Sequence, residues 1–233
     1  MHKYSQSKFK QKLTSLNLIL LVCIVFTGYI LSPHKAYSAV SDYYQSNQLT
    51  AKLISAENFI DNNTNAISTA LSITLKPGWK TYWRSPGSVG LPPKVSWEKS
   101  TNISNTKFYW PLPKRFFDFD IENYGYTEQV TFPVNLILKN QGEPTELIAS
   151  VSLLVCNQVC IPEDFELSLK LTNVPVKDPY SRQEIALALT KVPLDGENSE
   201  FSLLPVKLNK LSNNLLIKIK SLNIANKISV FCY

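Results

Sequence analysis

Ile67-Ser68-Thr69-Ala70-Leu71-Ser72-Ile73-Thr74-Leu75 decides the fold, because Ile67, Thr69, Leu71, Ile73 and Leu75 alternate with small or polar partners. A period of two puts one set of side chains on one face of a strand; a helix would need apolar residues three and four apart. Similar runs occur at Val130 to Leu138, Leu147 to Val155 and Phe165 to Leu171. Turn clusters separate them: Asp61-Asn62-Asn63, Lys76-Pro77-Gly78, Ser85-Pro86-Gly87, Pro92-Pro93, Pro111-Leu112-Pro113 and Asn140-Gln141-Gly142. Many short strands with frequent punctuation predict an all-β domain over residues 41–176, an antiparallel sandwich of immunoglobulin-like architecture. No Gly-rich phosphate loop and no alternation of strand and helix is present.

Beyond the strands, one helix is expected from about Pro179 to Val192, with Ile185, Ala188, Leu189 and Val192 on one face. Asp178 before Pro179, or Ser181 with Glu184 three residues on, supplies its start signal. It reads as a linker over residues 177–194. Strand patterns resume at Phe201 to Leu208, Leu215 to Leu222 and Ile228 to Phe231. Two or three strands seldom stand alone, so residues 195–233 read as the start of a second β unit cut short.

The other end of the chain carries a different signal. A basic start, an apolar run from Leu16 to Leu31 and small residues around Ser38 have the order of a secretory signal peptide over residues 1–38. The run is short for a membrane span, which needs about 20 residues, so an amino-terminal anchor is the lesser reading. The formal charge of +6 comes from 24 Lys and Arg against 18 Asp and Glu. Five of the basic residues (Lys3, Lys8, Lys10, Lys12, Lys35) lie in this leader, which has no acid, so 19 face 18 in the remainder. A near-neutral body lacks the basic stripe of a nucleic-acid binder. Both histidines, His2 and His34, also fall in the leader, so the folded part works without an imidazole. Export brings thiols into an oxidising compartment, and the three cysteines after the leader are Cys156, Cys160 and Cys232.

Cys156-Asn157-Gln158-Val159-Cys160 has strand patterns on both sides. In one continuous strand, residues four apart stand about 13 Å from each other, too far for a disulfide, whose Cα atoms lie under about 7 Å apart. The chain must turn, and a hairpin with the loop Asn157-Gln158-Val159 places the two cysteines across its neck; Pro162 and the β flanks argue against a helical turn. Three uses of the pair remain open. A structural staple closing so small a ring contributes only roughly 2 kcal/mol in the loop-entropy model. A thiol-disulfide switch would lack local help, since Glu163 and Asp164 disfavour thiolate and no Lys, Arg or His lies within several residues. Opened by a partner's thiol, it needs less. A Cu(I) or Zn site is poorly supplied, with no His and no Met after the leader, so neither cofactor nor metal is expected.

Two segments before the pair are dense in rings and prolines: Gly78 to Pro93 (GWKTYWRSPGSVGLPP) and Tyr109 to Phe117, followed by Asn123-Tyr124-Gly125-Tyr126. Trp79, Trp83 and Trp97 are expected in the core. The loop carrying Phe116, Phe117 and Phe119 beside Asp118 and Asp120 is harder to bury and is placed over the cysteine hairpin.

From about Leu49 to Val192 the chain resembles the exported amino-terminal domain of DsbD-type thiol-disulfide interchange proteins, especially the ScsB-like branch associated with copper tolerance. The resemblance rests on GWKTYWRSPGSVGLPP, on WPLPKRF (Trp110 to Phe116), on NYGY (Asn123 to Tyr126) and on LLVCNQVCIPE (Leu153 to Glu163), in that order. It implies an immunoglobulin-like sandwich with a redox-active pair, Cys156 and Cys160, of which Cys160 forms the mixed disulfide. It implies a cap loop around Phe116, Phe117 and Phe119. It also implies a periplasmic location, a membrane electron donor, and thioredoxin-like or disulfide-isomerase partners met through transient mixed disulfides. The family often has an acidic residue after the Pro-Gly of the first segment, where this chain has Ser88-Val89. The electron-conducting membrane region and the thioredoxin-like part are not in this sequence, so a protein-disulfide reductase activity would not be self-sufficient. The alternative is a non-catalytic exported binding module with a structural hairpin disulfide.

Overall fold

The alternation around Leu71 is realised as the middle strand of a β-sheet. The computed structural model describes residues 39–57, 59–118, 121–175 and 178–193, and the backbone of 201–203, 207–209, 214–216 and 219–221. The expected leader over residues 1–38, Phe119, Cys232 and the run from Ile228 to Phe231 lie outside the described residues.

One sheet has five strands in the order β1 (Tyr44–Gln45), β2 (Leu49–Ser55), β3 (Ala66–Leu75), β9 (Gln129–Leu138) and β6 (Ile103–Phe108). The second has the order β11 (Cys160–Leu171), β10 (Thr145–Cys156), β4 (Lys80–Gly87), β8 (Ile121–Thr127) and β7 (Lys114–Asp118), with β5 (Lys94–Ser96) also paired to β10. All pairings are antiparallel. The result is the expected immunoglobulin-like sandwich.

Odd-numbered residues of β3, β10 and β11 face inward. Ile67, Leu71, Ile73, Leu147, Ala149, Val151, Val155, Leu167 and Leu169 are buried in one core with Trp83, Trp97 and Phe132. Trp79, also expected in the core, is only partly buried and packs against it from outside. Phe132 is fully enclosed by rings, with centroids of Phe108, Trp110 and Tyr126 at 5.3, 5.4 and 5.2 Å. Full burial of such a side chain stabilises the fold by about 1.5–3 kcal/mol.

The even face of β3 is also covered. Ala70 and Ser72 are buried there because a helix, α1 (Pro179–Leu189), lies on the outside of this sheet. Ile185 joins Ile54, Ala56 and Ala70 in a second small apolar cluster. Ser72 and Thr131 hydroxyls donate to Glu184 Oε1 at 2.6 and 2.9 Å, and Lys52 Nζ stands 3.3 Å from Oε2. Burial alone would push the Glu184 carboxyl up; the two hydroxyls and the Lys52 charge outweigh it and hold it below the ordinary value. Asp178 caps the helix, accepting from the backbone N–H of Tyr180 and Ser181. The helix ends earlier than its apolar pattern implies: Thr190 is the C-cap, and Leu189, expected on the buried face, is exposed. Among the described residues, no helix is long and apolar enough to cross a membrane. Further on, β12 (Phe201–Leu203) pairs with β15 (Ile219–Ser221), and β13 (Lys207–Asn209) with β14 (Asn214–Leu216), as nested antiparallel ladders.

Candidate functional site

The β10–β11 ladder runs without a break from Thr145 opposite Leu171 to Cys156 opposite Cys160. Asn157-Gln158-Val159 closes it, the Asn157 N–H donating to the Val159 carbonyl at 3.0 Å. The two cysteines are joined by a disulfide across the neck, their Cα atoms 4.1 Å apart. Pro162 fits within β11 because that strand is the sheet's edge and its missing N–H faces away from the ladder. Asn157 rests on Gly78, where a β-carbon would come within 3.1 Å of its Nδ2.

The two sulfurs have different surroundings. Even positions of β10 point to the outer face of the sheet, and Cys156 lies there next to β4, with Lys80 opposite it in register. Cys156 is only 2% exposed, whereas Cys160, on the edge strand, is exposed. The Tyr82 hydroxyl, two residues along β4 on the same face, donates to Cys156 Sγ at 3.1 Å. Tyr82 is itself buried. The chain bulges after it and returns so that Gly90 lies flat against its ring. Thr81, between Lys80 and Tyr82, fixes β4 to β10 by donating to the Leu154 carbonyl at 3.0 Å.

The electrostatics differ from those expected along the chain. Glu163 shares the inward parity of Phe165; it is buried and accepts from Tyr44 Oη at 2.7 Å and Ser46 Oγ at 2.8 Å. Its hydrogen bond, with burial, pushes the Tyr44 phenol up to about 12. Asp164 is four residues along the strand from Cys160, about 13 Å away. Neither acid adjoins the disulfide. A cation does: Lys80, 76 positions before Cys156 in number, is its cross-strand neighbour, at a Cα separation of about 5 Å.

Phe116 and Phe117, expected in a loop, lie in strand β7, paired with Asn123 and Glu122 of β8. The aromatic run favours a pleated strand once a partner is beside it. Phe116 is half-buried, its ring 5.5 Å from Lys80 Nζ, which brings it towards the cysteine hairpin. Phe117, with the opposite parity, is 65% exposed. Tyr82, Lys80 and Gly90 belong to the site and were not singled out by sequence reasoning, because only the register of β4 on β10 brings them there. Among the described residues, no group of three or more His, Cys, Asp or Glu side chains is placed to hold a metal ion.

Comparison with known proteins agrees with this geometry. The model of the family described as thiol:disulfide interchange protein DsbD, N-terminal, matches residues 50–172. Among solved structures, the N-terminal periplasmic domain of ScsB from Proteus mirabilis is similar, with 28% identity over 71% of this chain and a TM-score of 0.57. This chain spans 63% of that one. The Neisseria meningitidis DsbD n-terminal domain in the reduced form aligns with 62% of this chain and 93% of its own at 13% identity and a TM-score of 0.33. No curated protein matches the sequence.

Proposed function

Because the chain belongs to the DsbD amino-terminal family of thiol:disulfide interchange domains, we propose that Cys156 and Cys160 cycle between disulfide and dithiol to pass electron pairs between two protein partners. A donor thiolate attacks Cys160 Sγ, the Cys156–Cys160 bond breaks, and its electron pair stays on Cys156, which takes a proton from solvent. The donor's second thiol then attacks its own sulfur in the mixed disulfide, leaving both domain cysteines reduced and the donor oxidised. Towards a client the steps run in reverse, with Cys160 attacking the client's disulfide and Cys156 releasing it.

The observation that carries this reading is the unequal exposure of two bonded sulfurs, Cys160 open and Cys156 enclosed. Attack needs access to one sulfur only. In this reading the domain works in the periplasm, with a membrane protein as donor and thioredoxin-like or disulfide-isomerase proteins as partners. The 1–38 segment is the export signal in this reading, residues 41–176 the exchange domain, 177–194 a helical linker and 195–233 part of a second β unit. In this reading the cap expected around Phe116, Phe117 and Phe119 acts through Phe116, whose ring lies 5.5 Å from Lys80 Nζ, while Phe117 projects from the other face of its strand.

The test is trapping. Cys156→Ser, which keeps the open sulfur, is expected to form a stable mixed disulfide with a thioredoxin-like protein that lacks its resolving cysteine and whose remaining cysteine is activated as the thionitrobenzoate disulfide, the Cys160 thiolate displacing thionitrobenzoate; Cys160→Ser is expected to do so far more slowly. If neither traps, and the wild-type disulfide has a potential below about −300 mV, the pair is a staple and the exchange reading fails.

A further inference from the structure

We infer that Tyr82 is a catalytic residue of exchange: its hydroxyl holds the negative charge that appears on Cys156 when a partner opens the disulfide at Cys160. This rests on the exchange reading above and adds a residue to it. When Cys160 is attacked, the departing sulfur is the enclosed one. A thiolate at a site 2% exposed has little water to solvate it, and an unsolvated buried charge is costly unless a donor already points at it. Tyr82 meets that need, because its O–H is directed at Cys156 Sγ at 3.1 Å before any reaction begins. A hydrogen bond to an ionised sulfur is stronger than one to a neutral sulfur. The same contact therefore gains strength as the S–S bond lengthens, which is the condition for lowering a barrier rather than only binding.

The hydroxyl is also held in place. Tyr82 is 3% exposed, and a β-carbon on Gly90 would lie 2.3 Å from its Cε1, so the ring has a wall on its outer side. Thr81 ties the same strand to β10 through Leu154. In the forward step the electron pair of the broken bond rests on Cys156, Tyr82 keeps its own proton while sharing it, and the proton that neutralises Cys156 arrives later from solvent. In the reverse step the same bond keeps a fraction of Cys156 ionised and ready to release a client from Cys160. Tyr82 thus biases the pair to open at Cys160 in both directions.

Tyr82→Phe in the full chain removes the oxygen and leaves the ring. The expected result is reduction of the oxidised chain by dithiothreitol roughly tenfold slower than wild type. In the Cys160→Ser background, the pH profile of Cys156 alkylation is expected to move up by about one pH unit on adding Tyr82→Phe. A merely structural role would alter melting temperature without moving that profile. An unchanged reduction rate together with an unchanged profile overturns the inference. Should Tyr82→Phe fail to fold, a ring-fluorinated tyrosine at position 82, studied below its own phenol pKa, is a stronger donor and must speed reduction; no acceleration overturns it equally. If the wild-type chain is not reduced by any thioredoxin-like protein, the exchange reading falls, while the Cys156 profile still reads the Tyr82 contact.

Discussion

Gly90→Ala is the perturbation that most directly couples the scaffold to the disulfide. Gly90 has φ of +98°, a conformation that side chains with a β-carbon rarely adopt, and adopting it costs an L-residue about 1–2 kcal/mol. The new methyl would stand 2.3, 2.4 and 2.6 Å from Cε1, Cδ1 and Cζ of Tyr82, where carbon atoms pack at about 3.5–4.0 Å. The ring cannot swing into solvent, being buried, so either the Ser88–Leu91 segment lifts by about 1 Å or the ring shifts and takes its hydroxyl off Cys156. Overpacking of this kind costs about 1–3 kcal/mol. The two contributions give a loss of about 2–5 kcal/mol, a large share of the 5–15 kcal/mol typical of a domain. Urea denaturation of the oxidised chain reads it as a midpoint lower by on the order of 1 M. Tyr82→Ala removes the wall's target, so the double variant is expected to be more stable than the sum of the single losses implies. A Gly90→Ala chain within about 0.5 kcal/mol of wild type, or strictly additive losses, would refute the reasoning.

Two further outcomes follow from the inner and outer faces. Tyr44→Phe removes one of the two hydroxyls on the buried Glu163 carboxylate while keeping the ring stack on Phe165 at 4.1 Å, and is expected to cost about 1–3 kcal/mol. With the Tyr44 phenol raised from 10.0 to about 12, chiefly by its bond to Glu163, its contribution is full below pH 10 and lost as pH rises towards 12; melting curves of the variant should lack that alkaline decline. Glu184 is held below its ordinary value, as burial is outweighed by Ser72, Thr131 and Lys52. Its contribution is therefore complete above the ordinary glutamate pKa and disappears as pH falls through the lowered one. Glu184→Gln should narrow the stability difference between neutral and acid pH, and an identical acid limb in both chains would show that the α1 latch does not contribute.

Period-two alternation made the sandwich legible, because a half-buried strand must separate its two faces by parity. It also made the hairpin legible, since two cysteines with three residues between them and strand patterns on both sides can bond only across a reversal of the chain. Glu163 lies two residues before Phe165, and that spacing alone assigns its carboxylate to the inner face; treating it as a neighbour of Cys160 in sequence put it on the wrong one. The small residues Ala70 and Ser72 likewise signalled a covered outer face, but which element covers it depends on where Glu184 and Ile185 dock, a contact across more than a hundred positions. Lys80 and Tyr82 were not legible at all. Their place beside Cys156 follows from the pairing of β4 with the last two residues of β10, and register between distant strands is set by the whole core rather than by either strand. The aromatic segment at Phe116 reads as a loop in the sequence because strand propensity there is expressed only with β8 alongside.

The difference between the two sulfurs is a property of sheet order. A three-residue loop between antiparallel strands sets Cys156 and Cys160 opposite each other, and nothing in Asn157-Gln158-Val159 distinguishes them. What does is that β10 has β4 on its far side while β11, among the described residues, pairs with no strand other than β10. The cysteine on the inner strand is enclosed by Tyr82 and the β4 backbone, and the one on the edge strand meets solvent. A bare edge would ordinarily invite another strand to pair with it. Pro162, two residues after Cys160, removes a backbone donor from that edge, and Pro162 and Asp164 stand exposed there. The edge is thus kept open to a sulfur nucleophile and poor for strand addition. In the proposed exchange, a partner that reaches Cys160 would form and leave a mixed disulfide without first extending the sheet.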